Sequence, residues 1–293
     1  MRSFDYIESG KTLLTPHTTS LLAAIHEAKG RQSIQTTIRP GYIGDGWLAV
    51  ARIQSTDASN RIEGISTSDS RLNDLVSEKV TPRNRNEEEI AGYRDALSVI
   101  HESHDYIPIT PNVILQLHRD LFRHTPLTFA GHFKDSDNVI IERDAHGTST
   151  VRFAPPSALV TPELIERACS AYTQAIRDGH TDPLLAIAMF ILDFICIHPF
   201  NDGNGRMSRL LTLLMLYRNG YMVGKYISIE HLIEQSKSTY YEALDASTQA
   251  GTTTPMIMRH SRTTCLASYC PRARNSTNAS ISRQAAERRE HRE

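Results

Sequence analysis

The stretch "DPLLAIAMFILDFICIHPFNDGNGRMSRLLTLLMLYRNG", residues 182–220, decides how this chain is read. It holds two apolar runs, 183–197 and 210–217, each dense enough to be a buried helix. Between them a histidine is followed within a few residues by an acid, a Gly-Asn-Gly run and two arginines. The pattern predicts two packed helices joined by a tight polar loop, with the second helix starting at the glycines.

Working outward, three helix starts share one design. Thr110-Pro111, Thr161-Pro162 and Asp182-Pro183 each place a capping oxygen before a proline at the first helical position. Apolar residues at helical spacing follow in each case. "PNVILQLHRDLF" (111–122) predicts Val113, Ile114, Leu117 and Leu121 as core, and "PELIERACSAYTQAI" (162–176) predicts Leu164, Ala168, Ala171 and Ala175. Upstream, "EEEIAGYRDALSVI" (87–100) repeats the pattern with Ile90, Tyr93, Leu97 and Ile100. The fold class is therefore mainly α. One segment differs: "HFKDSDNVIIERDAHGTSTVRFAPP" (132–156) reads as a short hairpin, with strands near 138–142 and 149–153 around turn residues Asp144 to Gly147. The organisation that follows is an N-terminal helical segment over 1–85, a core over 86–250, and a poorly ordered tail over 251–293. That tail is rich in Ser, Thr and Arg and has little periodicity.

Bulk properties narrow the classes of partner. The chain has 293 residues, enough for a substantial core, and a formal net charge of -1. That balance gives no overall field for nucleic acid or an anionic membrane, so neither is expected as a partner. Cys169, Cys196, Cys265 and Cys270 form no CxxC pair and no metal-ligand spacing, which fits reduced thiols in a cytoplasmic protein. The first residues, "MRSFDYIESGKTLL", lack a long apolar run, and the apolar segment 184–197 is too short to span a membrane and contains Asp193.

The loop carries the chemistry. A helix N-terminus offers unpaired N–H groups and partial positive charge, which suit phosphate. Gly203 and Gly205 let the backbone approach an anion, and Asn204 adds side-chain hydrogen bonding. Arg206 and Arg209, three apart on the first turns of the helix, are expected to point toward the same anion, and two guanidinium groups suit a di- or triphosphate. Asp202 at the phosphate end suits Mg²⁺ held mostly by phosphate oxygens and water. A neutral His198 can take a proton from an attacking hydroxyl. Taken together, these groups describe transfer of a phosphorus-centred group to a hydroxyl.

These residues resemble the Fic family, whose signature HPFx[D/E]GNGRxxR is met by His198, Pro199, Phe200, Asp202, Gly203, Asn204, Gly205, Arg206 and Arg209. The resemblance covers roughly residues 50–250 and implies a Fic-type helical bundle with a β-hairpin flap. It also implies AMPylation: AMP moves from ATP to a Ser, Thr or Tyr hydroxyl of a target protein, which can be the enzyme itself. By that resemblance His198 is the general base and Asp202 holds Mg²⁺. Gly203, Asn204 and Gly205 form the anion hole, and Arg206 and Arg209 orient the β- and γ-phosphates. Val139, Ile140 and Ile141 would dock the target segment as an added strand, and Tyr240 and Tyr241 would line the adenine side. Family members often pair through surface helices, which leaves a homo-oligomer open.

A second motif, "SNRIEG" from Ser59 to Gly64, resembles the family's inhibitory pattern [S/T]xxxE[G/N] placed N-terminal to the core. The resemblance implies that Glu63 pairs with Arg209 and takes the γ-phosphate position, so that the enzyme rests switched off. Two alternatives stay open: removal of AMP from a modified protein at the same site, and a nucleotide-binding scaffold without catalysis. Intact His198 and Asp202 argue against the second.

Overall fold

The computed structural model describes residues 4–38, 45–143, 149–177 and 179–236. The tail from 251 onward, Tyr240 and Tyr241, and the hairpin turn at 144–148 lie outside the described residues, as do the side chains of Ile140 and Ile141.

The fold is mainly helical. In chain order the helices are α1 (Tyr6–Leu13), α2 (Pro16–Ile38), α3 (Asp45–Ile62), α4 (Asp69–Val76), α5 (Arg85–Ser103), α6 (Pro111–Leu121), α7 (Thr161–Arg177), α8 (Pro183–Ile197), α9 (Asn204–Arg218) and α10 (Ile229–Gln235). Between α6 and α7 an antiparallel pair joins β1 (Ile140–Arg143) to β2 (Ser149–Phe153), with a bulge between Ile140 and Ile141.

The local chemistry of helix starts accounts for several of these boundaries. Thr110 accepts a hydrogen bond from the Val113 N–H, and Asp182 accepts one from the Leu184 N–H, each with proline in the first turn. Thr161 behaves otherwise. Its hydroxyl donates to the Ser157 carbonyl, because the chain enters α7 through a 3-10 turn at Ala158–Val160 rather than from an extended cap.

α8 and α9 form the centre of the molecule. Both are buried almost all round: Phe190, Phe194, Leu210, Leu211 and Leu214 are fully enclosed. A helix that is apolar on every face must be covered on every face. α7 and α9 flank α8, and α5 packs on α9. The N-terminal segment takes part in the same core, to which it contributes Tyr6, Leu13, Leu22, Ile25 and Ile62. α3 lies against α5 and α10 and also touches α9. None of the described helices is long and apolar enough to cross a membrane.

Candidate active site

The loop between α8 and α9 is fixed from several sides. α8 ends at His198, whose backbone is left-handed with φ 50° and ψ 62° and whose N–H still bonds the Phe194 carbonyl at 3.0 Å. Phe200 then turns back into the core. Its N–H donates to Asn204 Oδ1 at 2.9 Å, and Asn204 Nδ2 donates to the Phe200 carbonyl at 2.8 Å. The Asn204 amide is thus committed to the loop itself. The expected side-chain bond from Asn204 to an anion is corrected here: what Asn204 presents at the helix start is its backbone N–H.

α9 begins without a side-chain cap, and Gly203 before it sits at φ +82°. A Cβ at Gly203 would lie 2.8 Å from the Phe122 ring, so only glycine fits. The first turn of α9 therefore keeps free N–H groups and the positive end of the helix dipole, the arrangement that attracts phosphate or carboxylate.

A carboxylate is already there. Glu63 follows the last residue of α3, and its Oε1 accepts from Arg209 Nη2 at 2.7 Å. It reaches over the first turn of α9 so closely that a Cβ built on Gly205 would overlap Oε1. Ser59, one turn earlier on α3, completes the grip: its hydroxyl accepts from Arg209 Nε at 2.8 Å and its carbonyl from Nη2 at 2.9 Å. The end of α3 is shaped by Gly64 at φ +79°. The Ile65 N–H bonds the Asn60 carbonyl and the Gly64 N–H bonds the Arg61 carbonyl, a Schellman ending that leaves Glu63 projecting with its side chain 33% exposed.

The two arginines part company, which corrects the expectation that both reach one anion. Arg206 is only 1% exposed, with Nη1 2.7 Å from Glu89 Oε2 on α5 and its guanidinium over the Phe122 ring. The contact with Glu89 is close in distance but off the line of the N–H, so charge attraction rather than a well-formed hydrogen bond holds it. Arg206 anchors α9 to α5, and Arg209 faces the cleft under Glu63.

Asp202 has a half-exposed side chain, with Oδ1 accepting from the Gly203 N–H at 2.6 Å and Arg85 3.8 Å from Oδ2. Among the described residues no group of three acids, histidines or cysteines comes together to hold a metal. Asp202 could therefore contribute one hard oxygen ligand, with the rest drawn from phosphate and water.

The His198 imidazole is held below the ordinary histidine range mainly by burial. Lys134 acts the same way, and the Ile195 carbonyl, Glu63 and Asp202 oppose them. Its buried Nδ1 stops short of a well-formed hydrogen bond, so the Ile195 carbonyl is a weak acceptor. The ring is neutral at neutral pH and able to accept a proton.

Sequence reasoning missed four residues that shape this site. His118 of α6 is fully buried and stacks on Phe200 with ring centres 3.7 Å apart and planes 1° apart. Its Nδ1 accepts from the Gly131 N–H, so Nε2 carries the proton and donates to the Asp202 carbonyl at 3.1 Å. Burial pulls its pKa down to about 4. Glu89 and Arg85 reach the loop from α5, and Lys134 reaches it from the segment before β1. The one signal that pointed to any of them was a histidine on the buried face of α6, next to Leu117.

Residues 108–216 match the Fic/DOC family. This stretch is a Fic/DOC domain. Over 90 residues it is 37% identical to a Fido domain-containing protein of Dictyostelium discoideum, a match covering 29% of this chain and 58% of that one. Over 145 residues it is 28% identical to protein adenylyltransferase fic-1 of Caenorhabditis elegans, covering 47% of this chain and 25% of that one. The chain thus spans less than two thirds of the length of these relatives. Its fold is similar to the crystal structure of a Fic family protein from Desulfovibrio desulfuricans G20, with a TM-score of 0.71 at 22% identity over 91% of this chain and 76% of the other.

Proposed function

We propose that this Fic protein is a protein adenylyltransferase held in check by Glu63. The observation that carries the reading is the carboxylate of Glu63 lying over Gly205 and on Arg209, an anion seated where the helix start and its arginine would receive a phosphate. The likeness to proteins named protein adenylyltransferases supports the choice of ATP and of a protein target.

In this mechanism the N–H groups of Asn204 and Gly205, joined by that of Gly203 once it leaves Asp202 Oδ1, hold the α- and β-phosphates. Arg209, once released by Glu63, takes the terminal phosphate, and Arg206 keeps α9 in place through Glu89. Asp202 supplies a carboxylate oxygen to Mg²⁺, which when bound neutralises charge on the phosphates. Neutral His198 takes the proton from a Ser, Thr or Tyr hydroxyl of the target. The hydroxyl oxygen bonds to the α-phosphorus, the bond from that phosphorus to the bridging oxygen breaks, and pyrophosphate leaves. Val139, 52% exposed just before β1, together with Ile140 and Ile141, offers an edge on which the target backbone can add as a strand. Tyr240 and Tyr241 are assigned to the adenine side on family resemblance alone.

The test is incubation with α-labelled ATP and Mg²⁺, reading label on the protein and on cell lysate. Glu63→Gly is expected to label at least about tenfold more than wild type, which corresponds to about 1.4 kcal/mol of relieved competition. Glu63→Gly combined with His198→Ala should not label. Equal labelling by wild type and Glu63→Gly would remove the inhibitory role of Glu63. No label from either would turn the assignment to AMP removal, with an AMPylated protein as the next substrate offered.

A further inference from the structure

His198 is one of two non-glycine residues with positive φ among the described residues, the other being Glu78. A left-handed backbone costs an ordinary residue about 1–2 kcal/mol and persists only where the surroundings over-determine it. α8 supplies one restraint through the Phe194 carbonyl. The others converge on one residue. The carbonyls of the residues on either side of His198 are both taken by Lys134: its Nζ donates to the Ile197 carbonyl at 3.2 Å, and its own backbone N–H donates to the Pro199 carbonyl at 2.8 Å.

Lys134 is 3% exposed, and its Nζ also donates to Asn138 Oδ1 at 3.0 Å. Asn138 in turn donates from Nδ2 to the Phe200 carbonyl at 3.3 Å. The ammonium is therefore bonded to a carbonyl and an amide oxygen rather than to a carboxylate. Burial pulls its pKa down, with Asp137 acting in the opposite sense. Enclosing a cation this way is costly, and a methionine would fill the same space at no such cost. Packing alone therefore does not account for a lysine at this position.

We propose that Lys134 is the positioning residue of His198, gripping the carbonyls of its two neighbours, Ile197 and Pro199, so that the imidazole is fixed in direction when the segment leading into β1 is in place. The kinetic consequence rests on the reading of His198 as general base, whereas the geometric one does not. The charged groups acting on the His198 ring are Lys134, Glu63 and Asp202. Of these only Lys134 favours the neutral ring, so its loss should raise the protonation midpoint of His198 and move the acid limb of the rate profile to higher pH.

The test is Lys134→Met in the Glu63→Gly background, with ring signals of His198 followed by NMR through a pH titration. The kcat for AMP transfer should fall about 10- to 100-fold, the size expected for a misplaced catalytic group, with KM for ATP changed less than about twofold. The NMR midpoint should rise, and a crystal structure should show His198 leaving the left-handed region. An unmoved midpoint together with an unmoved backbone overturns the proposal, whatever happens to kcat. A moved midpoint and backbone with unchanged transfer leave the positioning role standing and overturn the general-base reading instead. Asn138→Ala, which keeps the ammonium but removes its second anchor together with the bond to the Phe200 carbonyl, covers the case in which Lys134→Met does not fold. It should raise the midpoint by less, and an unchanged midpoint there also overturns the proposal.

Discussion

Of the described helices that end in a left-handed residue, α3 and α8 do it differently. α3 ends through Gly64, which takes φ +79° without steric cost and leaves Glu63 reaching out to one arginine. α8 ends through His198, which takes φ 50° at a cost and is held by bonds to the carbonyls of both neighbouring residues. A relaxed ending suits a segment that has to let go. A strained and multiply bonded ending suits a side chain that has to stay aimed.

Changes at the two endings should therefore differ in kind as well as size. The largest effect is expected from His198→Asn in the Glu63→Gly background. Asparagine tolerates the left-handed region, so the melting temperature should stay close to that of the parent, while transfer falls about 10²- to 10⁴-fold through loss of the base. A variant within tenfold of the parent would deny His198 that role. Next is Ser59→Ala, which removes the hydroxyl accepting from Arg209 Nε and should weaken the grip by about 1–3 kcal/mol. Labelling assays should place its basal transfer between wild type and Glu63→Gly, and wild-type labelling would show that Ser59 does not help hold Glu63. Smallest is Gly64→Ala. Nothing lies within 4 Å of the added methyl, so only the backbone penalty of about 1 kcal/mol or slightly more applies. Thermal unfolding should register a modest loss, and no loss would mean that the end of α3 does not need the left-handed turn.

How far the sequence could be read depended on the reach of each interaction. The loop was legible because a phosphate-accepting helix start is written in consecutive residues, from Asp202 to Arg209. Thr110 and Asp182 were legible as caps for the same reason. Thr161 misled, since its hydroxyl answers to Ser157 and the 3-10 turn that precedes it. The separate fates of Arg206 and Arg209 could not be read locally: one is decided by Glu89 on α5 and the other by Ser59 and Glu63 on α3. The family resemblance supplied the pairing of Glu63 with Arg209, whereas nothing in the spacing of residues singled out Glu89. Lys134 and His118 were hidden in the same way, because each bonds backbone carbonyls of a loop more than 60 residues away, and a carbonyl has no letter in the sequence.

The absence of a side chain at Gly205 has a consequence for how this protein could change over generations. The proposed brake and the proposed substrate use the same small space above that Cα, and a methyl group there would force the Glu63 carboxylate to shift. A mutation at Gly205 therefore offers no route to a permanently active enzyme, since what frees the site of Glu63 also crowds the incoming phosphate. Release can be inherited only through α3, in Glu63 itself or in the residues that hold its helix end, so control and chemistry can diverge while the motif stays the same.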